Sequence, residues 1–182
     1  YSSIAHFGYL LVALLAGGQN AGTAACVYLT AYFVTMIAAF GIISVLRKEE
    51  KEMAFLEDFQ GLFWTHPWLA GIFTAVMFSL AGIPLTGGFV GKFYVVTAGI
   101  GSALWFLIIV LIATSVVGLY YYLRVVVTMA TDLKAKNDLT ARPTVSLAAG
   151  ITLGLLTVLL VWIGVYPAPL IRIIQIAVSS IG

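Results

Sequence analysis

Lys92 is the only charged residue in a hydrophobic stretch that covers residues 68–100. It follows an interruption at residues 82–88, which reads Gly-Ile-Pro-Leu-Thr-Gly-Gly. A charged group inside a bilayer is costly, so it usually faces a protein interior or a water-filled cavity and marks an ion path. Non-helical backbone at that depth must line a cavity or be covered by protein. The pattern therefore predicts a discontinuous helix with an ion or proton site, as in many transporters.

Four residues carry the predicted break: Gly82, Pro84, Gly87 and Gly88. Proline has no backbone N–H to donate, and glycine adopts dihedral angles that other residues avoid. At about 1.5 Å per residue, the helical pieces before and after the break together exceed a hydrocarbon core of roughly 30 Å. The break is therefore expected inside the membrane.

The amine of Lys92 has the chemistry of a proton carrier. We expect Lys92 in about the first turn of the second half-helix, where the positive end of the helix dipole opposes a protonated amine. Removal from water also disfavours the charged form. Such an amine can take up and release a proton near neutral pH. The alternative is structural: a lysine paired permanently with an acid of another subunit, or one whose side chain reaches the interface.

His6 lies in the first predicted helix, beside Ser2, Ser3 and Tyr9. A histidine titrates close to physiological pH and could pass protons between Lys92 and another carrier. The alternative is a neutral histidine that is hydrogen-bonded inside the bundle. No second histidine, cysteine or carboxylate lies at ligand spacing, so we expect no metal and no cofactor in this chain.

A possible polar path follows the second predicted helix. Tyr28, Tyr32 and Thr35 are spaced so that they share one helix face. These side chains, with Tyr94 near Lys92, could hydrogen-bond a file of water molecules. A polar packing seam between helices is the alternative.

The composition indicates an integral membrane protein. Hydrophobic residues make up 62% of the 182 residues and charged residues 9%, and the mean hydropathy is +1.10. The apolar runs are continuous rather than alternating, which predicts an all-α fold rather than a β-barrel. The single cysteine, Cys26, excludes an intrachain disulfide. The small net charge of +2 argues against a nucleic-acid partner.

Hydropathy predicts about five transmembrane helices in a single membrane domain. They cover residues 1–16, 21–46, 68–100 with the break at 82–88, 103–130 and 145–166. Short interfacial helices are expected in the connection 47–66 and in the tail 167–181. Because the first apolar run is short for a membrane span, we expect that an upstream part of a longer protein is missing.

Basic residues are concentrated in two connections, 47–66 and 131–142. By the positive-inside rule these connections are cytoplasmic. They contain Arg47, Lys48, Lys51, Lys134, Lys136 and Arg142. Arg124, with the three tyrosines at 120–122, is interpreted as an anchor at the headgroup level of the membrane or a contact with another subunit. Participation of Arg124 in transport is the alternative.

The chain resembles the antiporter-like proton-translocating subunits of respiratory complex I, the NADH:quinone oxidoreductase. Three motifs carry the resemblance: Tyr-Ser-Ser-Ile-Ala-His-Phe-Gly-Tyr at residues 1–9, Leu-Ala-Gly-Ile-Pro-Leu-Thr-Gly-Gly-Phe-Val-Gly-Lys-Phe-Tyr at 80–94, and Gly-Leu-Tyr-Tyr-Tyr-Leu-Arg at 118–124. Within the family the pattern is similar to the subunit N branch. Subunit M usually has a glutamate where Lys92 stands, and subunit L continues into a long lateral helix.

The resemblance implies that the predicted helices are the last five of fourteen, with Lys92 as terminal proton carrier on the broken twelfth helix. Such subunits couple quinone reduction elsewhere in the respiratory-chain complex to proton pumping, beside neighbouring antiporter-like subunits and lipids, here in a bacterial plasma membrane. The chain itself would be a non-redox part of this translocase. The first broken helix, its two lysines and a glutamate have no counterpart here. The resemblance therefore implies an exit half-channel rather than a whole pathway.

Two alternatives remain open. The chain could belong to a multi-subunit cation/proton antiporter, which shares the fold and the broken helices. It could also be a purely structural segment that holds neighbouring subunits together, in which case neutralising Lys92 would leave pumping intact.

Overall fold

The computed structural model describes residues 2–46, 55–131 and 146–180, and these residues form helices and the turns between them, without any strand. The all-α prediction is confirmed for them. In chain order the helices are α1 (Ser2–Ala16), α2 (Gly18–Leu46), α3 (Leu62–Thr65), α4 (Pro67–Ala81), α5 (Gly87–Gly101), α6 (Trp105–Ala130), α7 (Leu147–Val165) and α8 (Ala168–Ser179), with a 3₁₀ helix at Leu56–Phe59.

The outer surface of the bundle is apolar. Asn20–Leu46, Trp105–Ala130 and Leu147–Val165 are long and apolar enough to cross a membrane. Large apolar side chains on their outer faces are exposed, including Phe106 at 76% and Val158 at 67%. A helix that is apolar on all sides is stable where lipid or another protein surrounds it.

Four helix ends meet on one side of the bundle, which we call the loop side. Leu46 at the end of α2, Leu69 in α4, Met129 near the end of α6 and Leu153 in α7 belong to one buried apolar cluster. The indole N–H of Trp64 donates to the carbonyl of Ala130 at 3.2 Å and holds α3 against α6. Both charged connections join the bundle on this side. Their basic residues lie outside the described residues.

The short turns lie on the opposite side, which we call the far side. The hydroxyl of Ser102 donates to the carbonyl of Ala16 at 2.6 Å, so the end of α1 lies beside the end of α5. In α8, Val178 packs against Gly22 near the start of α2. The tail that was predicted as an interfacial segment is therefore a helix against the far half of the bundle.

The structure divides the third apolar stretch into α4 and α5. The end of α4 is a Schellman motif: Gly82, with a positive φ of 83°, donates to Ser79 at 3.0 Å, and Ile83 donates to Phe78 at 2.9 Å. The non-helical residues are 82–86. Since α4 has 15 residues, the break lies about 22 Å along the helix axis from its loop-side start.

Two residues assigned to the break from the sequence belong to α5 instead. Gly87 and Gly88 are its first two residues, after the extended N-cap Thr86. A β-carbon on Gly88 would lie 1.9 Å from the carbonyl oxygen of Ser79, so close contact between α4 and α5 requires glycine there. Gly164 of α7 has a similar role, because a β-carbon there would lie 2.3 Å from the carbonyl oxygen of Leu85.

We predict that Gly88→Ala destabilises the protein, because the added methyl group overlaps the backbone of α4. Overpacking of this kind costs about 1–3 kcal/mol, more than the roughly 1 kcal/mol that alanine contributes as a better helix former. The matched control is Gly71→Ala in α4, where nothing lies within 4 Å of the added carbon. Thermal unfolding of the purified protein in detergent should show a lower midpoint for Gly88→Ala only. Equal midpoints for the two variants would contradict this packing.

Candidate proton site

The amine of Lys92 lies at the C-terminal end of α4. It donates hydrogen bonds to the carbonyl oxygens of Leu80 at 3.0 Å and Ala81 at 2.9 Å. The Schellman motif pairs the carbonyls of Phe78 and Ser79 with backbone N–H groups but provides none for the next two. A buried carbonyl without a partner is costly. Lys92 therefore completes the hydrogen bonding of the helix end.

The position of Lys92 differs from the sequence-based expectation. It is the sixth residue of α5, hence in the second turn rather than the first. Side chains on a helix point back toward its N-terminus, which brings the amine to the end of α4. The negative end of the α4 dipole favours a protonated amine there, whereas the positive end of α5 disfavours it. The end of α4 therefore stabilises the positive charge on this amine, and the start of α5 destabilises it.

This geometry is compatible with both protonation states of the amine. An ammonium group has three N–H donors, and a neutral amine has two. The two carbonyl contacts use two donors, so the neutral amine keeps both bonds and loses only the third donor. Gain or loss of a proton therefore does not require the lysine to leave the helix end.

Lys92 and His6 line one cavity of about 590 Å³ between α1, α5 and α6. The ring of Tyr9 forms part of the wall, with its centroid 5.4 Å from the amine nitrogen of Lys92. Water in the liquid occupies about 30 Å³ per molecule, so the cavity has room for several molecules. The structure thus brings together the two side chains that were proposed from the sequence as proton-translocating residues.

His6 is buried, with 6% of its surface exposed, and contacts side chains on two other helices. Its Nδ1 atom is hydrogen-bonded to the hydroxyl of Tyr28 at 2.6 Å, and its Nε2 atom lies 3.3 Å from the hydroxyl of Tyr122. The hydroxyl of Tyr122 in turn lies 2.5 Å from that of Ser2. The ring of Tyr32 stacks on His6 at a centroid distance of 4.8 Å.

Tyr122 is a member of this site that the sequence interpretation missed. It had been grouped with Tyr120 and Tyr121 as a membrane anchor, but consecutive helical residues point in different directions. Tyr120 and Tyr121 are exposed, whereas Tyr122 is half-buried and faces His6. The signal was the spacing of Thr114, Gly118 and Tyr122, which puts small and polar residues on one face of α6.

The predicted polar path is divided in the structure. Tyr28 and Tyr32 lie beside His6. Thr35 lies further along α2 and is hydrogen-bonded to Ser79 of α4 at 2.9 Å. Tyr94 packs against the apolar cluster that includes Leu170 of α8 and also against the cluster that contains Tyr28.

Ser79 joins α2, α4 and α5 at the break. The hydroxyl of Thr35 donates to the carbonyl of Ala31 at 2.7 Å, so Ser79 must donate to Thr35. The oxygen of Ser79 then accepts from the backbone N–H of Gly88 at 3.1 Å. Each hydrogen bond in this chain therefore has one assigned donor and one assigned acceptor. Together the bonds hold the start of α5 against the end of α4.

Within residues 2–46, 55–131 and 146–180, no group of three or more histidine, cysteine or acidic residues could hold a metal ion. The site consists of an amine, an imidazole and hydroxyl groups around a cavity. These groups can hold and transfer protons.

Comparison with known proteins gives the family. The profile described as NADH:quinone oxidoreductase/Mrp antiporter, TM, matches residues 1–118. The chain belongs to this family. The match includes His6, the break and Lys92, and the resemblance stated from the motifs is confirmed.

Similar curated proteins are named NADH-quinone oxidoreductase subunit N. The one from Chromohalobacter salexigens is 42% identical over 99% of this chain, and the one from Nitrosospira multiformis is 45% identical over 96% of it. In each case the match covers 38% of the relative. The chain thus spans less than half the length of these family members.

Two solved structures have a similar fold. Respiratory complex I from Thermus thermophilus with bound aureothin superposes with a TM-score of 0.78 at 29% identity, over 94% of this chain and 38% of that one. The Mrp complex from Dietzia sp. superposes with a TM-score of 0.77 over 96% of this chain and 40% of that one. At 19% identity it shows the fold alone. The family and the fold together confirm an all-α membrane protein.

We predict that Ser79→Ala loosens the junction between α4 and α5, since it leaves the N–H of Gly88 and the oxygen of Thr35 without their partner. A buried donor without an acceptor costs about 1–3 kcal/mol. Hydrogen exchange at the Gly88 amide, followed by mass spectrometry, should be faster. The matched control is Thr152→Ala, whose exposed hydroxyl bonds only within its own helix. Unchanged exchange at Gly88 in the Ser79 variant would contradict the role assigned to Ser79.

Proposed function

We propose that this chain is part of a proton-translocating membrane subunit of NADH:quinone oxidoreductase, and that Lys92 is its proton carrier. The chain carries no redox centre in this proposal. Electron transfer to quinone takes place in other subunits, and the chain moves protons in response. The complex lies in the bacterial plasma membrane, and the partners of the chain are its other membrane subunits, including neighbouring antiporter-like subunits, and lipids.

One observation carries this proposal: a lysine amine at a helix break, on the wall of a cavity that it shares with a histidine. A charged side chain within an apolar bundle is costly, so its presence at that depth points to a function. A lysine needed only as a hydrogen-bond donor for the end of α4 would not require the cavity.

The family and the names of the relatives support the choice of complex. Similar proteins from Chromohalobacter salexigens and Nitrosospira multiformis carry the name of subunit N. The large exposed apolar surface supports a position between other membrane subunits and lipid. Purification of the chain as a stable, active monomer would contradict the proposed partners.

His6 is the proposed relay to Lys92. Its ring nitrogens contact the hydroxyl groups of Tyr28 and Tyr122. In a neutral imidazole one nitrogen donates and the other accepts, so His6 can accept a proton on one side and release one on the other.

The second candidate function is cation/proton exchange, with which the family description is consistent because it also names the Mrp antiporter. The two candidates differ in what drives the flux. Proton movement that depends on sodium in the absence of NADH would favour the antiporter, whereas movement that requires NADH oxidation and quinone favours the oxidoreductase.

We predict that Lys92→Ala abolishes most redox-driven proton pumping, because alanine removes the titratable amine. Alanine is well tolerated within α5, but it leaves the carbonyls of Leu80 and Ala81 without the amine, so assembly is checked for this variant. Lys92→Arg should be nearly as inactive, since a guanidinium stays protonated. Lys92→Glu should retain some pumping, because a carboxylate at this site can also bind and release a proton. Pumping is measured in sealed vesicles with a pH-sensitive dye, alongside NADH oxidation.

The matched control is Arg172→Ala, which removes an exposed cation from α8 and should leave pumping near the wild-type rate. Native gel electrophoresis shows whether each variant assembles. Full pumping by assembled complexes with alanine or arginine at position 92 would favour the purely structural interpretation of this lysine.

A further inference from the structure

We infer that the outer side of α6 is an interface, at which Arg124 is paired with a carboxylate on a transmembrane helix of another membrane subunit. This inference rests on the proposed function, because that function gives the chain neighbouring membrane subunits. It adds the chemistry of one contact, an aspartate or glutamate of the neighbour at the depth of Arg124. It also decides between the roles that the sequence left open for this residue.

Of the three helices that are long and apolar enough to cross a membrane, α6 is the least covered by the bundle. In its apolar part 11% of the residues are buried, compared with 33% in α2 and 17% in α7. Its buried residues, which include Leu111 and Met129, lie on one side of the helix. Lipid or another protein must therefore cover most of the surface of α6 in a membrane.

Arg124 lies on the outer side of α6. It follows Tyr122, which faces the bundle, by two residues, a rotation of about 200° around the helix. Arg124 and Tyr120 are both exposed. Within the part of the chain that the structure describes, the side chain of Arg124 has no hydrogen-bond or ion-pair partner. The acidic residues of that part are Glu57 and Asp58, and neither is paired with it. The counter-charge must come from outside these residues.

The depth of Arg124 makes an unpaired charge costly. α6 has 26 residues and is about 39 Å long, so it exceeds a hydrocarbon core of roughly 30 Å. If α6 is centred in the membrane, about 4–5 Å of helix extends beyond the core at each end. Arg124 precedes the loop-side end at Ala130 by six residues, or about 9 Å. Its Cα atom is therefore inside the core, where charged side chains usually have a partner.

The direction of α6 favours a protein partner over a lipid headgroup. α6 starts near Ser102, which contacts Ala16 on the far side, and ends at Ala130 on the loop side. Helical side chains lean toward the N-terminus of their helix. The side chain of Arg124 therefore leans toward the membrane centre, away from the nearer surface. It would have to bend against this direction to reach the loop-side headgroups, whereas a carboxylate on an adjacent helix can meet it in place.

A carboxylate is the group that best fits a guanidinium in these surroundings. The planar guanidinium donates two parallel hydrogen bonds to a carboxylate, and the two charges cancel. Tyr120 and Tyr121 are exposed beside Arg124, with their rings 5.5 Å apart. Their hydroxyl groups can donate to the remaining lone pairs of the carboxylate. Tyrosine and arginine are also the residue types that dominate binding at protein interfaces. This side of α6 therefore fits a helix that carries an acidic residue.

Photo-crosslinking in the assembled complex identifies the helix that covers α6. p-Benzoylphenylalanine replaces Val117, which is 58% exposed and on the same side of α6 as Arg124. The control position is Val158 of α7, which is 67% exposed. After irradiation, mass spectrometry of the digested complex should show position 117 joined to another membrane subunit. We expect an aspartate or glutamate within an apolar run of the joined segment, and a different product from position 158.

Three results from position 117 would overturn the inference. They are crosslinks only to lipid, crosslinks to another part of the same polypeptide, and crosslinks to a neighbouring segment that has no acidic residue within an apolar run.

A double-mutant cycle in the complex tests the ion pair itself. Arg124→Gln should lower the amount of assembled complex on native gels at least about threefold, because the carboxylate of the partner loses its counter-charge. The amide substitution of that carboxylate should have a similar effect. The two substitutions together should be no worse than either alone, since neither charge is then left unpaired. The matched control is Arg172→Gln on α8, which removes another exposed arginine and should leave assembly near the wild-type level.

Wild-type assembly of Arg124→Gln, or losses that multiply in the double variant, would reject the ion pair. Neither measurement uses proton pumping, so the two proposals fail separately. Normal pumping by Lys92→Ala would reject the proton carrier and leave the contact at Arg124 standing. A failed cycle together with loss of pumping in Lys92→Ala would reject only the contact.

Discussion

The structure depends on how a helix can end inside an apolar bundle. Backbone carbonyls at such an end have no water to bond with, and each unsatisfied group costs free energy. At the end of α4, the Schellman motif pairs two carbonyls and the amine of Lys92 pairs the next two. The same amine is the candidate proton carrier. Its structural contact and its proposed chemistry are therefore inseparable, and a substitution at Lys92 affects both.

The surrounding residues keep this junction closed without adding charge. Ser79 bonds to the start of α5 and to α2, and Gly88 and Gly164 let backbones approach closely. Small residues and hydroxyl groups at helix contacts are typical of membrane proteins, where packing and hydrogen bonds replace the hydrophobic effect between helices. These contacts hold α2, α4, α5 and α7 together without using the charge of Lys92. A change in the protonation state of the amine therefore does not require them to break.

Polar side chains near Lys92 adjoin a buried apolar cluster. Tyr28, His6 and Tyr122 come from three different helices and meet at the ring of His6. Tyr28 also belongs to the buried cluster that contains Val12, Val95 and Leu111.

The sequence alone determined the class of the protein and indicated Lys92 and His6 as candidate site residues. Continuous apolar runs of this length are typical of helices in lipid. Pro84 and its neighbouring glycines indicated a break in the helix before Lys92. Both signals are local in the chain, so the sequence is enough to read them. The roles proposed for Lys92 and His6 stay predictions. Tertiary structure decided what each residue contacts. It placed Gly87 and Gly88 inside α5, assigned Tyr122 to His6 rather than to the headgroups, and separated Thr35 from Tyr28. Helical spacing defines a face, but only the packing of the other helices decides which partner that face meets.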